Sequence, residues 1–153
     1  MNPRPGSCLL LVEDDPDDVV FIRRGFEKAG IGDHVRLARD GEEAIAYLKG
    51  EGRYKDRALY PFPALMVFDL KLPKKSGLEI LAWLRSEPRL KDLPVIIFTS
   101  SKEPTDIARA QELGVAAYHL KPVEFKELIE LVRSIGLFWI TLMKRPEAPG
   151  VRG

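Results

Sequence analysis

Three carboxylates and one lysine stand where separate apolar runs end. Glu13 and Asp14 follow residues 9–12 (LLLV), Asp69 follows residues 64–68 (ALMVF), and Lys121 follows residues 116–120 (AAYHL). Thr99 closes a further run, residues 95–98 (VIIF). In an open parallel sheet the C-terminal strand ends gather along one edge, where ligands bind at a topological switch point. Residues more than a hundred positions apart would then form one acidic site with a cation beside it.

That set points to a divalent metal and phosphoryl chemistry. Asp69 is the candidate nucleophile, because a carboxylate can accept a phosphoryl group to give an aspartyl phosphate. Clustered carboxylates raise one another's pKa unless a cation intervenes. Glu13 and Asp14 suit Mg²⁺, a hard ion that takes oxygen ligands and keeps to phosphate oxygens. The backbone carbonyl of Lys71 is a further candidate ligand. Lys121 would place a point charge on the phosphoryl group, and Thr99 offers a hydroxyl. Each piece has a plainer reading. Glu13, Asp14 and Asp15 before Pro16 could simply be a helix cap with acids at the favourable end of the dipole, and Asp69 could be a turn-initiating acid. It is their joint placement at separate strand ends that argues for a site.

The elements that would position these groups alternate along the chain. Residues 8–12 have no polar alternation, as in a strand buried on both faces. Asp15 and Pro16 fit an N-cap and first helical position, and Val19, Val20, Ile22, Phe26 and Ala29 follow at helical spacing, with Gly30 as the stop. A second strand is read at 34–38 and a helix at 42–49. Residues 50–63 read as a long loop, since Pro61 and Pro63 obstruct regular structure, and loops of that length are often functional or mobile. The third strand is 64–68, followed by a helix from Gly77. The fourth is 95–98, rich in β-branched residues, then a helix at 105–113. A fifth strand ends at Leu120, and a last helix starts near Val123 and continues to about Met143. Residues 1–6 read as a tail and 145–153 as a disordered Pro/Gly-rich segment.

The pattern predicts an α/β fold with a parallel sheet in a single domain. A chain of 153 residues suits one core. Its net charge of +1 gives no case for nucleic acid or an anionic membrane as partner. The single cysteine, Cys8, has no internal partner and fits a reducing compartment as a small buried hydrophobe. The first apolar stretch is too short for a secretory signal, so the expected location is the cytoplasm.

Taken together, these residues resemble the receiver domains of bacterial two-component response regulators. The resemblance rests on residues 10–15 (LLVEDD), 68–77 (FDLKLPKKSG), 98–101 (FTSS), 114–118 (GVAAY) and Lys121–Pro122, and covers about residues 7–135. It implies a flavodoxin-like (βα)5 doubly wound sheet with strand order 2-1-3-4-5. It further implies phosphorylation of Asp69 by a sensor histidine kinase, Mg²⁺ held by Glu13, Asp14, Asp69 and the Lys71 carbonyl, a switch pair of Thr99 and Tyr118, Lys121 as phosphate sensor, and a cis bond before Pro122. Glu13 stands where many members carry Asp.

With no length for an output domain after the last helix, the chain resembles single-domain regulators. The long loop and residues 136–139 (GLFW) are similar to the small regulators that partner bacterial phytochromes, although related regulators pair with other hybrid kinases. The last helix has more apolar residues than one buried stripe needs. Leu137, Phe138, Trp139 and Leu142 are therefore read as a homodimer surface, the alternative being a helix that folds back over its own domain. The rival functions are a receiver-like docking module that needs no phosphorylation and an aspartate-nucleophile phosphatase. The latter typically needs a second acid two residues after the nucleophile, where this chain has Lys71.

Overall fold

The computed structural model describes residues 7–144. Five parallel strands, β1 (Cys8–Val12), β2 (Val35–Ala38), β3 (Pro63–Phe68), β4 (Val95–Thr99) and β5 (Ala117–Leu120), form one sheet in the order β2-β1-β3-β4-β5. Between and after them lie α1 (Pro16–Lys28), α2 (Gly41–Lys49), α3 (Gly77–Ser86), α4 (Pro104–Glu112) and α5 (Phe125–Lys144). The predicted fold class and strand order are both present.

Alternation along the central strands sorts the core into two layers. Leu10, Val12, Met66, Phe68 and Ile97 face Ala44, Leu48, Ile80, Leu84 and Ala110 from α2, α3 and α4. Leu9, Leu11, Leu65, Val67 and Phe98 face Ile22 and Phe26 of α1 and Leu128, Val132, Ile135, Trp139 and Met143 of α5. Both faces are covered, so β1 and β4 are buried at every position. A Cβ at Gly25 would lie 2.6 Å from Val132 Cβ, so α1 and α5 approach as closely as they do only because that position is glycine.

Helix starts follow the sequence signals. Asp15 caps α1, its carboxylate accepting from the N–H groups of Asp17 and Asp18, with Pro16 first in the helix. Ser76 and Glu79 form a reciprocal capping box on α3.

Three expectations are corrected. The last helix begins at Phe125, not near Val123, whose side chain is 96% exposed. Trp139, read as part of a surface, is fully buried, and its Nε1 donates to the Cys8 carbonyl at 3.1 Å. The reason lies in the helical repeat: Leu128, Val132, Ile135, Trp139 and Met143 continue one three-to-four stripe to the helix end. Pro122 is not preceded by a cis bond, since the described residues contain none. The ordinary trans amide, favoured by about 0.5–1 kcal/mol before proline, already lets Lys121 keep its backbone bond to Thr99 and reach the site.

The 50–63 segment is less irregular than its sequence suggests. Gly52–Lys55 form a short 3-10 turn that buries Tyr54, with Tyr47 and Tyr60 packed around it at ring separations of 4.9 and 5.0 Å. The tail expectations for 1–6 and 145–153 lie outside the described residues.

Candidate functional site at the carboxyl edge of the sheet

Register brings the predicted residues together. Val12 pairs with Phe68, so Glu13 and Asp69 leave the sheet side by side. Thr99 pairs with Leu120, and the Lys121 N–H donates to the Thr99 carbonyl at 2.8 Å. Four of the sequence-predicted side chains, Glu13, Asp69, Thr99 and Lys121, therefore share one pocket.

Both oxygens of Asp69 are engaged. Oδ1 accepts from the Thr99 hydroxyl at 2.5 Å and from the Lys71 N–H at 3.1 Å. Oδ2 accepts from Lys121 Nζ at 2.9 Å. The β3–α3 turn that presents this carboxylate is tightly built. A Cβ at Gly77 would run into the Asp69 carbonyl and Leu70 Cα, and the Gly77 N–H closes the turn on the Leu70 carbonyl at 2.8 Å.

Lys121 is the hub. Its ammonium donates to Glu13 Oε1 at 2.8 Å and to Asp18 Oδ2 and Asp69 Oδ2 at 2.9 Å each. Burial alone would lower its pKa, but the hydrogen bonds to Glu13 and Asp69 outweigh this and hold the ammonium charged well above the usual lysine range. Glu13 is 3% exposed, and burial pushes its carboxyl above the ordinary value, with Lys121 opposing. Asp14 is exposed at the rim. Asp18 was missed from sequence because it reads as one of several acids in the first turn of α1. As the third residue of α1, it lies on the side of the first turn that faces Lys121.

These groups fit a hard divalent cation in donor type and charge. Glu13, Asp14, Asp18 and Asp69 against Lys121 leave the edge strongly negative, and every candidate ligand is oxygen. As arranged, no three His, Cys, Asp or Glu side chains among the described residues form a metal cluster. Lys121 Nζ stands at the point where the carboxylates converge.

Thr99 and Tyr118 are linked through the turn after β4. Thr99 Oγ1 accepts from the Ser101 N–H at 3.3 Å, while the half-buried Tyr118 hydroxyl donates to the Ser101 carbonyl at 3.0 Å. Ser101 Oγ in turn donates to Asp106 of α4 at 2.6 Å. Burial raises the Tyr118 pKa, with the bond to Ser101 partly offsetting it.

The response regulator receiver domain model matches residues 9–133. The chain belongs to that family. Response regulator Rcp1 of Synechocystis sp. is 35% identical over 144 residues, covering 94% of this chain and 96% of Rcp1. The crystal structure of the phosphorylated cyanobacterial phytochrome response regulator RcpA superposes with a TM-score of 0.81 at 35% identity, covering 91% of this chain and 97% of that one. The Mn²⁺-bound form of Rcp1 superposes with a TM-score of 0.79 at 35% identity, over 94% and 99% of the two chains. As a two-component receiver, this chain has a signalling role. Among the described residues no helix is long and apolar enough to cross a membrane.

Proposed function

We propose that Asp69 accepts a phosphoryl group from a phosphohistidine of a sensor histidine kinase and that the chain thereby switches its α4-β5-α5 surface. The observation carrying this reading is the double engagement of Asp69, by the Thr99 hydroxyl on one oxygen and the Lys121 ammonium on the other. An Asp69 oxygen attacks phosphorus, the O–P bond forms as the N–P bond breaks, and the imidazole leaves with the electron pair. Lys121 and Thr99 already lie within reach of where the phosphoryl oxygens arrive, so both can exchange their bond to the carboxylate for one to the phosphoryl group.

Glu13, Asp14, Asp69 and the Lys71 carbonyl would hold Mg²⁺. When bound, it would supply charge neutralisation for the phosphoryl group. This chain's contribution is a set of oxygen donors gathered at one edge and a lysine that must give up its bond to Asp69.

Pulling Thr99 toward a phosphoryl oxygen would move Ser101, and with it both the Tyr118 hydroxyl and Asp106. The change is a population shift driven by contacts that only the phosphorylated site offers. The likeness to RcpA supports a phytochrome-class kinase as the donor. The exposed Leu137, flanked by the half-buried Phe138 and Leu142 that also pack against the core, supports a homodimer through that helix, without Trp139.

Intact mass after incubation with acetyl phosphate, with and without Mg²⁺, tests the core of this reading. A single Mg²⁺-dependent phosphoryl adduct, absent from Asp69→Asn, is expected. No adduct with acetyl phosphate or with a phytochrome-class kinase would instead favour a phosphorylation-independent docking module.

A further inference from the structure

A second cleft lies at the opposite end of the sheet, where β3 begins. It has a volume of about 870 Å³, sits between the C-terminal ends of α2 and α3, and is walled by the segment before β3. Trp83 and Phe62 supply flat apolar walls. Around them stand Lys49, Lys55, Arg57 and Arg89, with Glu87 as the one acid lining the cleft.

The cations divide into two roles. Arg57 is structural: its guanidinium donates to the carbonyls of Tyr47 and Leu48 at 2.9 Å and of Tyr60 at 3.1 Å. In doing so it offsets the negative end of α2, one of the two helix ends at the cleft that would otherwise repel an anion, and leaves the end of α3 to the surrounding cations. Lys49, Lys55 and Arg89 have no salt-bridge partner among the described residues. Lys49 Nζ lies over the Trp83 ring at 6.0 Å from its centroid, and Arg57 lies over the Phe62 ring at 5.8 Å, so a base that stacks on Trp83 displaces the flexible Lys49 ammonium toward its phosphates.

The wall is also fixed in place. Tyr47 Oη donates to the Pro61 carbonyl at 2.9 Å, Arg36 Nε donates to the Leu59 carbonyl at 3.2 Å, and Tyr54 is buried. A held wall lowers the ordering cost of binding, and the volume falls within the range of about 300–1,000 Å³ seen for small-ligand sites.

We propose that this cleft binds a nucleoside phosphate, with the base against Trp83 and Phe62 and the phosphates on Lys49, Lys55 and Arg89. Aromatic walls accept any base face, and Lys and Arg are the residues that hold phosphate. A purely apolar ligand would leave three cations unused, and a simple anion would leave the aromatic walls unused. The site is separate from Asp69, so neither proposal depends on the other.

The test is calorimetry of the full chain with ATP and with GTP, in chelator and without Mg²⁺, alongside tryptophan fluorescence. Saturable binding tighter than about 1 mM is expected for at least one nucleotide, with quenching that Trp83→Phe removes while buried Trp139 is untouched. The combined K49Q, K55Q and R89Q variant should weaken binding by about tenfold or more, and Asp69→Asn should leave it unchanged. Amide shift mapping on the wild-type chain, centred on Gly50 and Trp83, gives the location without any variant. Failure of both nucleotides to bind overturns the proposal. So does tripolyphosphate binding as tightly as ATP, which would show only an anion patch, or shifts that map elsewhere.

Discussion

Lys121 Nζ lies 2.9 Å from Asp18 Oδ2, the same distance that separates it from Asp69 Oδ2. The cation beside Asp69 is thus shared with α1. On the function proposed above, Asp18 would compete with an incoming phosphoryl group for Lys121 and add negative charge where the donor must approach. Asp18→Asn removes both effects. Its initial rate of phosphorylation by acetyl phosphate should rise about fivefold, equivalent to roughly 1 kcal/mol of barrier. A rate below that of the wild type would show that Asp18 instead helps to assemble the site.

Lys121→Ala leaves Glu13 buried without its counter-ion. Breaking one side of a buried pair typically costs about 3–5 kcal/mol, and a loss near the lower figure is expected at pH 7.5 because Asp18 and Asp69 retain some solvent. The sign of the pH effect follows from Glu13, whose folded pKa is already raised by burial. A carboxyl with a raised folded pKa binds its proton more readily in the folded chain, so stability is regained as pH falls through that pKa. Urea unfolding should therefore show a smaller gap between variant and wild type at pH 5 than at pH 7.5. An equal gap at both would mean that Glu13 is not the stranded charge.

The sheet and most of the site were legible because they depend on short-range patterns. Unbroken apolar runs marked β1, β3 and β4, and the residue after each run marked the edge. What the sequence hid depends on three-dimensional phase. Trp139 falls in a segment apolar on all sides, where composition cannot say which residues turn inward; the stripe from Leu128 decides it. Asp18 sits among Asp14, Asp15 and Asp17, and only the helix started by Pro16 singles out the one that reaches Lys121. The 50–63 segment read as loop because its order comes from side-chain bonds such as those of Arg57 and Tyr47, which have no local periodicity.

The outer and inner faces of α5 should respond in opposite ways. Trp139→Ala empties a fully buried site and strands the Cys8 carbonyl, and a loss of about 3–5 kcal/mol of stability is expected by denaturant titration. Leu137→Asp, at a position 42% exposed, should change stability by less than about 1 kcal/mol while shifting the sedimentation coefficient toward the monomer. An unchanged sedimentation profile would count against the α5 dimer, and a stable Trp139→Ala would count against the packing described for the helix end.

Cys8 offers a probe of global opening. Its side chain is fully buried, with Sγ 3.4 Å from Tyr47 Oη and 3.2 Å from the Pro61 carbonyl. Burial pushes the thiol from 9.0 to about 11, outweighing the Tyr47 hydrogen bond and the charges of Arg36 and Arg57. At pH 8 the folded chain then holds about a hundredfold less thiolate than the unfolded one, and thiolate is the reactive form. A disulfide reagent should label native protein only at the rate at which it unfolds, and Tyr47→Phe should speed labelling by loosening the wall that covers Cys8. The same shift has a stability consequence. Above pH 9 the unfolded chain ionises this thiol while the folded chain keeps its proton, so stability falls from pH 9 toward about 11, a slope that Cys8→Ala should reduce. Rapid stoichiometric labelling of the native chain at pH 8 would contradict the burial on which all of this rests.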